Sequence, residues 1–324
     1  MNRVPTWICV ATTLVWILGV HIGLASEPAR DPLVQLKLLS NNGDLTTREK
    51  AEALEHFYAD AFRGRQNASY IHTASPSEVE VLFQAANTVS FYTGKSAYAQ
   101  DMALDLERLS RAGMATGDEY EDLYGAHLEA RDFVQAEAVA TQHLGGSIRS
   151  PTVLGTVDSS KPAVLLPRRD GSLQATPVAF AKNQIVIVAH PLCHFTQNAV
   201  HYIEQHPGLQ RVFAEHSLWV VPPDRKLDTT VVQQWNNHHP ALPMSFAYNR
   251  FAWPHFDAWD TPVFYFLRDG NLVDTIAGWP TGGHAKDLND ALARLGLLEQ
   301  SRQATAPPSE RGPARGTLTQ GRSQ

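Results

Sequence analysis

The chain has 324 residues and a formal net charge of −6 at pH 7, and this acidic balance argues against a nucleic-acid partner, which would select a basic domain or stripe. Hydrophobic residues make up 43% of it and charged residues 19%, which excludes wholesale disorder. Its two cysteines cannot form a multi-cysteine zinc or iron–sulfur site within one chain.

The first 25 residues are predicted to be a signal peptide. Arg3 supplies the positive start, residues 7–20 are apolar and uncharged, and Gly23-Leu24-Ala25 provides the small-residue exit. The alternative is a retained anchor that would tether the protein to a membrane, since the apolar run is nearly long enough to span one. In both cases we expect an exported protein, in the periplasm or cell envelope or secreted. Cleavage would remove Cys9 and leave Cys193 as the one thiol.

Residues 26–147 are predicted to form an all-α domain of helical hairpins. Thr46 and Glu49 match a capping box, and Ser75-Pro76 matches a helix start. Apolar residues then recur at helical spacing, and a break is expected at Ala130-Arg131-Asp132. The region resembles tetratricopeptide hairpins in packing style, but it lacks the repeat of about 34 residues, so an ordinary helical bundle stays open.

Residues 148–299 alternate strands with helices, which is typical of an α/β sheet. Asp170-Gly171 and Asp269-Gly270 predict tight turns. The whole chain is therefore expected to be α+β with two domains, followed by a disordered tail at 300–324 that is rich in Pro, Gly, Ser, Gln and Arg. The predicted strands are 163–166, 185–188, 218–221, 263–267 and 272–276, and the predicted helices are 196–206, ended by Pro207-Gly208, then 229–237 and 286–298.

Cys193 is the candidate reactive group. It lies just past the buried strand 185–188 and directly before a helix. A helix N-terminus stabilises a thiolate through its dipole and its free N–H groups, and the nearby His190 and His194 would add to this when protonated. The alternative is a structural cysteine that happens to lie in a strand–helix loop.

Four features in chain order carry a family resemblance: the turn at Asp170-Gly171, the strand leading to Cys193, the segment Trp259-Asp260-Thr261-Pro262-Val263, and the closing hairpin that ends at Gly278. Residues 151–299 thereby resemble the thioredoxin-like superfamily. The resemblance implies a cis Thr261–Pro262 bond beside the thiol. It also implies that Thr261, Pro262 and Trp259 present or bind an extended substrate.

The expected second cysteine of this family is replaced by Thr196 in Cys193-His194-Phe195-Thr196. Without a second thiol, a mixed disulfide would persist until an external thiol attacks it. The resemblance therefore implies monothiol thiol–disulfide exchange or client trapping through Cys193, with Thr196 as a hydrogen-bond donor to the sulfur and His190 and His194 tuning it. The expected partners are protein thiols or disulfides, or a low-molecular-weight thiol, and no cofactor is expected.

An aromatic loop precedes Thr261 and leaves an alternative open. If exposed, it is a binding surface, and the protein would be a non-catalytic adaptor that uses this loop and the helical domain. If buried, it closes the core. A metal site is not expected, because Cys193, His190, His194 and His255 lack diagnostic spacing. The aromatic residues are Phe246, Tyr248, Phe251, Trp253, Phe256 and Trp259.

Overall fold

The computed structural model describes residues 31–146 and 148–299. From Pro32 onward they belong to one compact unit. The predicted signal peptide, Cys9 and the predicted tail lie outside the described residues. Among the described helices, none is long and apolar enough to cross a membrane.

Seven α-helices make up the first part of the described chain, where the apolar spacing predicts a helical region. Thr46 forms the predicted capping box with Glu49, and the predicted helix start at Ser75-Pro76 is a second capping box, in which Glu78 is the reciprocal partner. Each box satisfies N–H groups that a helix start leaves free, so these two helices begin where the sequence predicts. The helices are α1 (Pro32–Ser40), α2 (Thr47–Ala61), α3 (Ala68–Thr73), α4 (Pro76–Thr93), α5 (Ser96–Arg111), α6 (Gly117–Glu129) and α7 (Phe133–His143).

The described strands form one mixed sheet, so the fold is α+β. Its order is β1-β3-β2-β6-β5-β4-β7-β8. Strand β4 is central, parallel to β5 and antiparallel to β7. The predicted turns join β2 to β3 and β7 to β8. The strands are β1 (Val153–Leu154), β2 (Ala163–Pro167), β3 (Leu173–Pro177), β4 (Asn183–Val188), β5 (Ser217–Val221), β6 (Met244–Ala247), β7 (Val263–Arg268) and β8 (Asn271–Ala277).

The second part of the chain adds helices α8 (His194–Glu204), α9 (Pro207–His216), α10 (Thr229–His238) and α11 (Ala285–Leu295). Three expectations need correction. The last helix ends at Leu295, three residues before its predicted end. The helix after Cys193 starts two residues earlier than predicted, so Cys193 itself is its N-cap. Pro207 does more than mark the end of this helix, because it also begins a further helix, α9. A proline is tolerated in the first turn of a helix, where the N–H group that it lacks would have no partner within the helix.

The sheet is buried on both faces. Ile185 and Ile187 of β4 point to one face and share a continuous apolar cluster with the helices of both parts of the chain. Val186 and Val188 point to the other face, which the aromatic loop before β7 covers. The predicted separate domains at 26–147 and 148–299 thus share one core, and their division into two domains remains a prediction.

Candidate thiol site

Cys193 lies at the junction of the central strand and α8. A tight turn joins them, in which the Cys193 N–H donates to the His190 carbonyl at 3.0 Å. The Cys193 carbonyl accepts the N–H of Gln197 at 3.0 Å and so starts the helix. The thiol is free, and Cys193 is half-buried at the N-cap of α8.

Thr261 and Pro262 face this thiol. The Thr261–Pro262 peptide bond is cis, as the resemblance implied. The Cys193 Sγ–H donates to the Thr261 carbonyl oxygen at 3.2 Å. Pro262 is anchored in turn, because its carbonyl accepts the N–H of Gly278 at 2.7 Å. The structure therefore brings together three of the predicted site residues across 68 residues of sequence.

Two opposing effects act on the pKa of Cys193, and the net pKa is lowered. Burial of the sulfur raises the pKa, because it disfavours the charged form. Hydrogen bonds from the side chain of Thr261, from the backbone and side chain of Thr196 and from the backbone of Phe195 lower it and prevail. The Thr261 carbonyl oxygen can only accept a hydrogen bond, so it stabilises the protonated sulfur. The hydroxyl and N–H groups donate hydrogen bonds and therefore stabilise the thiolate.

Thr196 occupies the position of the absent second cysteine. It is fully buried, and its Oγ1 has no hydrogen-bond partner among the described residues in the thiol state. A buried hydroxyl without a partner carries a desolvation penalty. Ionisation of Cys193 would relieve this penalty, because the hydroxyl can then donate to the thiolate.

The two predicted histidines flank the turn. The Nδ1 atom of His190 accepts the N–H of Leu192 at 3.2 Å, so this imidazole supports the turn. His194 is exposed, and its ring centroid lies 3.8 Å from that of Phe195. The main effects that lower the Cys193 pKa come from hydroxyl and backbone groups. Tuning of the thiolate by His190 and His194 stays a prediction.

Two apolar side chains beside the thiol were not predicted as part of the site. Leu192 is 69% exposed and Phe195 is 39% exposed. They precede and follow Cys193 by one and two positions, so an approaching substrate meets apolar surface around the sulfur. Their sequence pattern indicates only a turn and a helix start, and it does not tell which way each side chain points.

The aromatic loop closes the core and does not form an exposed patch. Trp259 is only 8% exposed and lies 6.1 Å, centroid to centroid, from Phe256. Phe256 stacks on Tyr265 of β7 at 4.0 Å. Of the two alternatives for this loop, burial is therefore the one observed for Phe246, Trp253, Phe256 and Trp259. A direct role of Trp259 in substrate binding stays a prediction.

Within residues 31–146 and 148–299, no group of three or more His, Cys, Asp or Glu side chains is arranged to hold a metal ion.

We expect Thr196→Val to raise the pKa of Cys193. The change replaces the hydroxyl with a methyl group of similar volume and removes a donor to the thiolate. The alkylation rate at pH 7 should fall by about threefold or more, while the rate at pH 10 stays the same, because only the thiolate reacts. Stopped-flow or mass-spectrometric alkylation across pH measures this.

Thr196→Ser is the matched control, since it keeps the hydroxyl. The free energy of unfolding of Thr196→Val should hold or rise, because a buried polar atom without a partner is lost. This separates the effect on the thiol from a loss of structure. Superimposable alkylation profiles for the valine variant and the parent would refute the role of the hydroxyl.

Comparison with known proteins gives little that bears on function. No protein-family model matches the chain, and no curated protein matches it. Among solved structures, the chain is similar to a thioredoxin-like protein from Bacteroides caccae ATCC 43185, with 12% sequence identity and a TM-score of 0.27. The match covers 83% of this chain and 96% of that one. A structural neighbour is therefore thioredoxin-like, but at this TM-score the likeness carries no conclusion about activity.

Proposed function

We propose that the chain is an exported thioredoxin-like protein that performs monothiol thiol–disulfide exchange, or traps disulfide-bearing clients, through Cys193. The observation that supports this most directly is the half-buried Sγ at the start of α8, 3.2 Å from the Thr261 carbonyl and with a lowered pKa. A structural cysteine has no need of three groups of thiolate donors, whereas a nucleophilic one does.

The exchange needs no redox cofactor. The Cys193 thiolate attacks one sulfur of a substrate disulfide, forms a mixed disulfide with it and releases the other sulfur as a thiolate. An external thiolate then attacks the substrate sulfur of the mixed disulfide. The bond to Cys193 breaks, the Cys193 thiolate is restored, and the substrate sulfur leaves in a new disulfide with the external thiol. Thr196 lies where an internal thiol would make this second attack, so the covalent complex lasts until the external thiol arrives.

The substrate side of the proposal rests on Thr261 and Pro262. The backbone of Thr261 lies next to the sulfur, where an extended segment of a client can pair with it as an added strand. Protein disulfides are therefore one partner class, and a low-molecular-weight thiol or disulfide is the other. The exported location rests on the sequence of residues 1–25 alone.

The alternative is a non-catalytic adaptor with an inert Cys193. Burial of the aromatic loop removes the exposed surface on which this alternative partly depended. The two functions differ in one measurable property, because an adaptor needs no thiolate at neutral pH.

Incubation with glutathione disulfide tests the proposal. We expect one glutathione on Cys193 at pH 7, located by peptide mass mapping so that Cys9 is counted separately. The adduct should remain after free disulfide is removed and disappear when reduced glutathione is added. A second incubation with a disulfide-containing denatured protein should give a reducible covalent complex.

Cys193→Ser is the control for both incubations and should form neither product at this position. If Cys193 stays unmodified at pH 7 and reacts only near the ordinary thiol pKa of about 8.5, the exchange function is wrong and the adaptor remains.

A further inference from the structure

The segment that carries Thr261 to the thiol is held by the helical part of the chain. Residues 248–262 connect β6 to β7, and we call them the connecting loop. They start at the end of a sheet strand and end at Pro262 beside Cys193. Four residues tie the loop, or the residue just before it, to the helical part: Thr47 and Arg48 of α2, Glu129 at the end of α6 and Arg131 in the α6–α7 turn. None of the helices α1 to α7 contributes a residue to the thiol site.

Arg131 makes the most extensive of these contacts. It lies in the turn between α6 and α7 with a φ of +60°, a conformation that directs the chain sharply from one helix into the next. Its Nε donates to the carbonyl of Tyr248 at 2.9 Å, and one terminal nitrogen donates to the carbonyl of Ala247 at 2.6 Å. Its other terminal nitrogen donates to the carbonyl of Leu128 at 3.0 Å. One planar guanidinium thus joins the helix turn to the start of the connecting loop.

Three more contacts continue along the loop. Arg250 donates to the buried carboxylate of Glu129 at 2.6 Å. The guanidinium of Arg48 lies 5.6 Å from the centre of the Phe251 ring. Nearer the site, the N–H of Thr47, at the start of α2, donates to the Asp257 carbonyl at 3.3 Å. The last contact is only four positions before Thr261.

The sheet holds the remaining stretch. The Tyr265 hydroxyl donates to the Ala258 carbonyl at 2.6 Å and accepts the Ala258 N–H at 3.0 Å. Trp259 is buried in the cluster beneath. From Tyr248 to Pro262 the loop is therefore fixed at closely spaced points, by the helices as far as Asp257 and by the sheet at Ala258 and Trp259.

We infer that the helical part of this chain is a positioning scaffold for the thiol site, with Arg131 as its main positioning residue. In this role α2 and the α6–α7 turn place the connecting loop so that Thr261 meets the Cys193 sulfur. The inference rests on the proposed function only in assuming that Cys193 reacts as a thiolate. It gives the helices a part in the thiol chemistry that a separate binding domain would not have.

The test compares the alkylation rate of Cys193 at pH 7 and pH 10 in four variants. Arg131→Lys keeps the positive charge but loses the planar set of donors that reaches two loop carbonyls. Arg48→Ala removes an exposed contact, so it leaves the core intact. Tyr265→Phe releases Ala258 from the sheet side and shows whether loop position affects the sulfur at all. Arg63→Lys is the control, since Arg63 bonds Asp101 within the helical part and contacts no loop residue.

Displacement of the connecting loop would withdraw the side chain of Thr261, whose hydrogen bond lowers the pKa of Cys193. We therefore expect Arg131→Lys and Tyr265→Phe to slow alkylation at pH 7 by about threefold or more, and Arg48→Ala by about twofold, with equal rates at pH 10. Arg63→Lys should match the parent at both pH values. A merely structural role would change stability without this pH-dependent difference. If Arg131→Lys does not fold, Arg48→Ala decides in its place.

Two results would overturn the inference. In the first, Arg131→Lys and Arg48→Ala keep the parent profile, whatever Tyr265→Phe does. In the second, Arg63→Lys slows the reaction as much as they do, which would make the effect a general one. The proposed function is tested separately, and it fails if the parent protein forms no glutathione adduct. The alkylation test does not depend on that result, because alkylation requires no disulfide exchange.

Discussion

Asp105→Asn is expected to stabilise the protein, and the gain should grow as the pH rises from about 4 to about 8. Asp105 is fully buried on α5. Burial, followed by the charge of Asp101, raises its pKa to about 8, although a hydrogen bond from Gln66 opposes this. Gln66 Nε2 donates to one carboxyl oxygen at 2.8 Å, and the other oxygen has no partner among the described residues.

The pH dependence of the free energy of unfolding follows from proton binding. Between the ordinary carboxyl pKa and about 8, the folded protein keeps a proton on Asp105 that the unfolded chain has released. The free energy of unfolding therefore falls as the pH rises through this window. Asparagine does not titrate, so the variant avoids that loss. Each pKa unit corresponds to about 1.4 kcal/mol, and the difference across the window is expected to be on the order of 3–5 kcal/mol.

Urea unfolding of the parent and Asp105→Asn at pH 5 and pH 8 measures this difference. Glu107→Gln is the matched control, because it removes a carboxyl group from the exposed side of the same helix. It should change stability by the same small amount at both pH values. An Asp105→Asn gain that does not increase with pH would show that Asp105 is ionised in the folded protein at pH 5.

The local elements of the fold were predictable because their signals are local. A capping box needs only Thr46 and Glu49, and a tight hairpin needs only Asp269 and Gly270, which both adopt positive φ here. The break between α6 and α7 falls at residues 130–132, as the sequence predicts. In each case a few adjacent residues determine the backbone geometry, with no help from distant parts of the chain.

The missed elements depend on tertiary structure. Strand β6, residues 244–247, is four residues long and buried, and it is a strand because β5 and β2 pair with it on either side. Helix α9 was missed because Pro207 was interpreted only as a helix end. A proline in a first turn and a proline past a last turn look the same in sequence.

The candidate site was predictable in its main parts and not in its details. The position of Cys193 at a helix start follows from the order of elements, and its proximity to Thr261 follows from the family resemblance. The orientation of the Thr196 hydroxyl and the exposure of Leu192 depend on packing around the thiol, so sequence does not determine them. The contacts between the helices and the connecting loop were missed for a similar reason, since Glu129 and Arg250 are 121 residues apart.

Glu129→Gln is expected to lower the free energy of unfolding by about 3 kcal/mol, because it removes the buried counter-charge of Arg250 and leaves Arg225 with only the more distant Asp122, at 3.8 Å. Glu129 is buried at the end of α6, where burial raises its pKa although Arg250, Arg225 and Arg131 oppose this. Its carboxylate pairs with Arg250 at 2.6 Å and with Arg225 at 3.4 Å. Both arginines are largely buried, so water does not replace the lost charge.

Asp290→Asn is the control for charge removal, since its partner Lys286 is almost fully exposed and water screens such a pair. It should change stability little. Urea unfolding of both variants measures the contrast, and equal losses would mean that the Glu129 pairs stabilise the fold no more than a surface pair. Because Glu129 joins α6 to residues before and within the connecting loop, its loss should also slow alkylation of Cys193 at pH 7. If the free energy of unfolding falls but the alkylation rate of Cys193 does not change, then Glu129 attaches the helices to the rest of the fold without affecting the geometry of the thiol site.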